Sequence, residues 1–165
     1  MIAERTFDTR IDLSIDARQP VIELLNQQLA DLFDLYSQSK QAHWNVKGPQ
    51  FFSLHELFDK LAEELSGYVD LVAERATALG GVAMGTARMA ARNSRLAEYD
   101  PDVVDSMPVV DAMATRFAVA AASARTGIAE AEDHDDADTA DLLTEVSRGL
   151  DKALWFLEAH LQRQT

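Results

Sequence analysis

The 165-residue chain is predicted to be an all-α four-helix bundle, on three observations: apolar residues recur at three- and four-residue steps over four long segments, no segment shows a strand pattern, and only 7 Gly and 4 Pro interrupt the chain. A chain of this length buries roughly 70% of the surface its unfolded form exposes, so it needs no disulfide or structural zinc to hold a core. One compact domain over residues 1–165 is expected, with residues 1–18 as a flexible N-terminal tail and no internal repeat or low-complexity tract.

The first helix is predicted over residues 20–47, with Pro20 at its first helical position and Ile22, Leu25, Leu29, Leu32 and Tyr36 as its core stripe. His43 lies seven residues further along that stripe and so points inward or toward a partner. Gly48-Pro49 stops this helix and turns the chain. The second helix runs over 51–79 with Leu54, Leu57, Leu61, Leu65, Tyr68, Val72 and Leu79 inward, and Gly80-Gly81 closes it. A looser crossover carrying Asn93, Ser94, Pro101 and Pro108 follows, with one short helix expected near Asp102 to Asp105. The third long helix, from about Val109 to Glu132, is rich in Ala and permits close helix approach. The fourth runs from about Thr139 to Gln162 on Leu142, Leu143, Val146, Leu150, Leu154, Leu157 and Leu161, with Trp155 expected in the core.

Composition excludes several chemistries. With no Cys, a thiol nucleophile, a zinc ribbon and an iron–sulfur cluster are ruled out. Apolar runs such as Phe117 to Ala122 fall far short of the roughly 20 residues of a membrane helix. The N-terminus lacks the basic-then-apolar order of a secretory signal, so a cytoplasmic protein with no membrane partner is expected. A net charge of −13 repels nucleic acid and attracts cations, metal ions among them.

The chemistry-bearing residues are polar side chains beside the core stripe of the second helix. His55/Asp59 and Asp70/Glu74 are each i,i+4 pairs, so each pair projects from one side of the helix and is spaced to hold a metal ion. His55 and Asp70 stand fifteen residues apart, about 22 Å along a helix, too far to share one ion within a chain. Antiparallel packing of two copies across a two-fold axis would bring one pair beside the other and create two equivalent sites. Ala62, Ser66 and Gly67 between the pairs are small enough for such contact. His43 offers a second imidazole, and two His with three carboxylates suit iron, manganese or zinc better than magnesium or calcium. The alternative is that the histidines are hydrogen-bonded interface groups and the acids form a solvated face.

The chain resembles the Dps family, small ferritin-like proteins of starved bacteria that protect DNA and store iron. The resemblance rests on Gln41-Ala42-His43-Trp44-Asn45-Val46-Lys47-Gly48, on Phe51-Phe52-Ser53-Leu54-His55-Glu56-Leu57-Phe58-Asp59 and on Asp70-Leu71-Val72-Ala73-Glu74-Arg75. It continues through Asp138-Thr139-Ala140-Asp141-Leu142-Leu143 and Leu150-Asp151-Lys152-Ala153-Leu154-Trp155-Phe156-Leu157-Glu158. It implies a ferroxidase centre between two-fold-related subunits, with His43, His55 and Asp59 from one chain and Asp70 and Glu74 from the other. The implied activity is oxidation of Fe(II), preferably by hydrogen peroxide, with ferric mineral stored inside a hollow homododecamer; whether a site holds one iron or two is left open. Consuming both reagents suppresses hydroxyl radicals and so answers oxidative stress. In the family an aromatic beside the first histidine supplies electrons, a role that would fall to Trp44; simple interface packing is its alternative.

Residues Glu130 to Asp141 hold seven carboxylates. In Dps-like shells acids in this region line three-fold pores for iron entry, which makes Asp138 and Asp141 the pore candidates, with Asp136 behind them; helix capping by Asp is the competing role. The lysine-rich tail of the best-known members is missing: Arg5, Arg10 and Arg18 face Glu4, Asp8, Asp12 and Asp16 within residues 1–18. Such a tail binds DNA weakly at physiological salt, and Arg88, Arg92 and Arg95 form the only basic cluster. A DNA-compacting shell with little ferroxidase activity is therefore the second hypothesis, and association with the nucleoid stays open. A larger ferritin is disfavoured because no Glu stands three residues before any of the 4 His.

Overall fold

A computed structural model describes residues 5–162; Glu4 of the charged tail lies outside the described residues. The helices are α1 (Ile15–Asn45), α2 (Phe51–Ala78), α3 (Ala87–Asn93), α4 (Ser106–Asp133) and α5 (Ala137–Leu161), and no strand occurs among the described residues. The four long helices pack as α1 on α2 and α4 on α5, with α3 lying against α1 in the crossover. One apolar core joins all four, filled by Leu25, Leu29, Phe58, Leu65, Val72, Met113, Phe117, Val146 and Leu150. Deletion of any of these Leu or Phe side chains to Ala should cost about 2–5 kcal/mol through lost burial and a residual cavity.

Three expectations change. α1 starts at Ile15, where the Ser14 hydroxyl accepts from the Ala17 amide at 3.2 Å, so Pro20 sits inside the helix instead of opening it. Residues 15–18 of the expected tail are accordingly helical, and the Phe7 amide donates to the Gly80 carbonyl at 2.7 Å. The short crossover helix lies at Ala87–Asn93, not at Asp102–Asp105. Thr86 caps it by accepting from the Met89 amide, and its Ala and Arg residues favour a helix. Val104 is held elsewhere, because its carbonyl accepts from the Lys47 amide at 2.8 Å and ties the end of the crossover to the α1–α2 turn. Trp155 is 60% exposed: the stripe of α5 passes through Ala153, Leu154 and Leu157 and leaves Trp155 on the outer face.

Two glycines position the α2 ends. Gly48 adopts a positive φ of 111° in the α1–α2 turn and packs on Ser106, whose hydroxyl donates to the Lys47 carbonyl. Gly80 has φ 87°, and a Cβ there would collide with the Phe7 carbonyl and the Arg18 guanidinium. Arg18 bridges the same place by donating to the Leu13 and Leu79 carbonyls.

Candidate metal centre on one face of α2

His43 lies in the last turn of α1 and His55 in the second turn of α2, so the tight Gly48 turn brings the two histidines together. Their rings stack with centroids 3.8 Å apart and planes 23° from parallel. Each Nδ1 bonds the backbone carbonyl of the other residue: His43 Nδ1 to His55 O at 2.7 Å, and His55 Nδ1 to His43 O at 2.9 Å. A carbonyl only accepts, so both Nδ1 atoms must carry hydrogen, and in each neutral ring Nε2 holds the lone pair. The hydrogen-bonded and the metal-binding readings of these histidines are thus compatible, since the first orients the ring for the second.

Asp59 lies one helical turn on from His55 with its Oδ1 3.9 Å from His43 Nε2. The sequence reading missed its nearest partner: Lys40 Nζ donates to Asp59 Oδ1 at 2.5 Å. That bond is the largest cause holding the Asp59 carboxyl below its usual 3.8; desolvation opposes it, and the charge of Lys40 adds to the lowering. Lys40 stands three residues before His43 on α1, the spacing that places two side chains on one helix face, and only that periodicity could have flagged it.

Asp70 and Glu74 are exposed on the same long stripe of α2 as Asp59, with Ser66 and Gly67 between them. Gly67 has open space where a Cβ would stand. Ala62 is instead buried in the chain's own core and leaves the contact face. Among the described residues no group of three or more His, Asp or Glu side chains of one chain is placed to hold a metal ion. Trp44, Phe51, Phe52 and Leu71 are exposed apolar side chains on or beside this face, with Phe51 5.3 Å from the His55 ring.

At the α4–α5 turn the expected pore acids divide. Asp136 is 2% exposed; its carboxylate accepts from the Thr139 amide at 3.0 Å, from the Thr139 hydroxyl at 2.7 Å and from Arg75 Nη2 at 2.6 Å. It caps α5 and pairs with the partly buried Arg75 guanidinium, a structural role within its own chain. Asp138 and Asp141 are exposed. The basic cluster divides as well: Arg95 is bound to the buried Asp31 carboxylate and to Ser123, which leaves Arg88 and Arg92.

Fold and site together define a ferritin-like bundle with histidines and carboxylates set along one exposed helix face. Residues 22–165 match the family model of the ferritin-like domain. A DNA protection during starvation protein from Agrobacterium fabrum is 40% identical over 161 residues, spanning 98% of this chain and 99% of that one. DpsC from Streptomyces coelicolor shares the fold with a TM-score of 0.91 at 31% identity, over 98% of this chain and 94% of that one. A Dps protein from Vibrio cholerae O1, described as a member of a broad superfamily of ferritin-like diiron-carboxylate proteins, gives 0.88 at 25% identity over 93% and 96% of the two chains. The chain belongs to the Dps family of ferritin-like proteins.

Proposed function

We propose that this protein is an iron-storage and detoxification protein that oxidises Fe(II), preferably with hydrogen peroxide, at centres shared between two-fold-related subunits of a cytoplasmic homododecamer. The observation that carries this reading is the reciprocal Nδ1-to-carbonyl pairing of His43 and His55, which leaves two Nε2 lone pairs beside Asp59 at one end of an exposed α2 face whose other end holds Asp70 and Glu74. A second copy packed antiparallel covers the exposed apolar side chains and brings its Asp70 and Glu74 to the first copy's histidines.

Ferrous iron is the substrate, and its cargo form is the ferric mineral. The two imidazoles accept the borderline ferrous ion, and the hard carboxylates favour the ferric product. Lys40 balances the Asp59 charge until iron takes that carboxylate. Peroxide takes one electron from each of two ferrous ions and ends as water or hydroxide, so no hydroxyl radical is released. Trp44, exposed and next to His43 in the chain, takes the electron-supplying role in this reading. Asp138 and Asp141 line the iron entry, where converging carboxylates raise the local cation concentration. Protection of DNA, named for the Agrobacterium relative, is in this reading an effect of removing iron and peroxide.

The test is anaerobic loading with Fe(II) followed by peroxide, reading ferric absorbance and solubility for the wild type and Asp70→Ala. Fast formation of a soluble ferric core by the wild type and slow formation by the variant is expected; precipitation at the protein-free rate in both would overturn the reading. Sharing between chains is tested by mixing Asp59→Ala with Asp70→Ala. Reassembled mixtures should regain part of the activity that each lacks, because a mixed interface contains one complete site. No recovery despite confirmed subunit exchange would count against it.

A further inference from the structure

We propose that residues 82–98 of the crossover form a strap that opens from α1 as one unit while the four long helices stay packed, with the contact between Asp31 and Arg95 as its latch. The hydrogen bonds that join this strap to the bundle run through side chains alone: among the described residues its backbone makes no bond to the backbone of another element. A polar stripe of α1 holds it. Asn26 accepts from the Met84 amide at 2.8 Å and donates to the Val82 carbonyl, Gln27 donates to the Asn93 carbonyl at 2.9 Å, Asp34 accepts from the Ser94 hydroxyl at 2.6 Å, and Gln38 donates to the Ala97 carbonyl at 3.1 Å. Residues 27, 31, 34 and 38 follow one another at three- and four-residue steps, which sets them along one face of the helix. From α4, Arg116 donates to the Ala97 and Glu98 carbonyls, and Ser123 accepts from the Arg95 guanidinium.

Little apolar surface adds to these bonds. From residue 82 to residue 105 Ala90 alone is buried, while Ala83 and Leu96 within the strap are packed partly against the core. On α1 the residues that grip the strap include Asn26, Asp31 and Gln38, all buried and polar. Lifting the strap therefore hydrates amides and a carboxylate and leaves the Leu and Phe core of the bundle covered, so its opening is separated from global unfolding. The 7-residue α3 has no stability of its own in water and unravels with the rest.

One contact dominates the closed state. Asp31 is 2% exposed and accepts from the Arg95 amide at 2.8 Å, from Nε at 3.0 Å and from Nη2 at 2.5 Å; its other donor is Gln27 Nε2 at 3.3 Å. Without Arg95 the closed strap holds an unpaired carboxylate that water satisfies once the strap lifts. At the next grip Gln38 keeps a buried Oε1 with no donor, so closure already leaves one acceptor unsatisfied. Opening also frees the Arg95 guanidinium. Among the described residues Arg88 and Arg92 make no ion pair, so the latch decides whether the crossover presents two free arginines or three. The strap has no hydrogen bond to the five proposed iron ligands, and the inference does not rest on the iron reading.

The test is hydrogen exchange of the assembled, metal-free protein, followed by mass spectrometry of peptides from residues 82–98 and from α4 and α5. In the wild type the 82–98 amides should exchange together and ahead of those in α4 and α5. Asp31→Asn keeps an acceptor oxygen and removes the charge; it should speed exchange over 82–98 roughly tenfold or more and leave α4 and α5 unchanged. Arg95→Gln breaks the latch from the half-exposed side and should do the same, which decides the matter if Asp31→Asn fails to fold. Exchange over 82–98 at the α4 rate in the wild type, equal acceleration of all three regions in the variants, or strap rates that both variants leave in place would overturn the proposal.

Discussion

Substitution of Asp136 by Ala separates a structural from a transport role for the acidic turn before α5. The change removes the acceptor of the Thr139 amide, a helix cap whose loss typically costs about 1 kcal/mol. It also strips Arg75 of its 2.6 Å partner, and breaking a buried pair costs about 3–5 kcal/mol when nothing replaces the lost ion. Here Asp138 lies 3.8 Å from Arg75 Nη1 and the Arg75 side chain is 15% exposed, so part of that penalty is relieved. Taking about 2 kcal/mol for the pair gives roughly 3 kcal/mol in all, or about 6–12 °C in Tm for a chain of this size. The assay is thermal unfolding of metal-free protein followed by circular dichroism, at one protein concentration because assembly adds to apparent stability. Asp136→Asn keeps a capping oxygen and loses the charge, so it should fall between Ala and wild type. Asp138→Ala, at an exposed position, should stay within about 0.5 kcal/mol of wild type and should instead slow iron uptake. An Asp136→Ala protein that melts within about 2 °C of wild type, with Asp138→Ala melting lower, would refute this division of roles.

Lys40→Met should raise the Asp59 midpoint, measured by NMR titration of metal-free protein, because the bond that most lowers it is lost. Because the folded pKa is the depressed one, whatever stability this contact contributes is present above the unfolded pKa and lost as pH falls through the folded pKa; an unmoved midpoint in the variant would show that Lys40 is not its cause. Gly80→Ala forces a side chain into a left-handed conformation against the Phe7 carbonyl and should cost about 1–2 kcal/mol or more, seen as a lower urea midpoint with an unchanged slope. Duplex DNA should not be retained in a gel at physiological salt, and wild-type retention abolished by Arg88→Ala with Arg92→Ala would contradict the charge argument.

The long helices were legible because their apolar residues repeat with helical spacing over more than twenty positions, where tertiary context has little room to override the pattern. Boundaries were less so. Pro20 is a common opener of helices, yet the Ser14 hydroxyl starts α1 five residues earlier, and a proline in the early part of a helix gives up only one backbone bond. The crossover helix was also misplaced: backbone pairing to Lys47 holds the end of the Asp102 to Asp105 stretch, and the helix is the Thr86-capped Ala-Arg segment. Trp155 shows the limit of a periodicity argument at one residue, since a stripe of 100° steps assigns its neighbours well and its flanks poorly.

At the site, residue identity was legible and orientation was not. Spacing along α2 separates His55 from Asp70 by about 22 Å, so the two pairs of one helix do not share one ion, which needs only the helical rise to see. What spacing does not carry is the tautomer. His43 and His55 lie twelve residues apart across a turn, and the exchange of Nδ1 hydrogen bonds between their backbones depends on the Gly48 geometry that closes it. The same turn brings Lys40 to Asp59, so the carboxylate awaiting iron is already paired with a cation. In the proposed reading an iron ion displaces an ammonium before it uses Asp59, and the carboxylates proposed to come from a second copy would favour that exchange by adding negative charge beside the ion. On that reading metal affinity would depend on assembly as well as on the ligands, since a lone chain presents two imidazoles and a carboxylate already paired with Lys40, and a second copy would add two carboxylates.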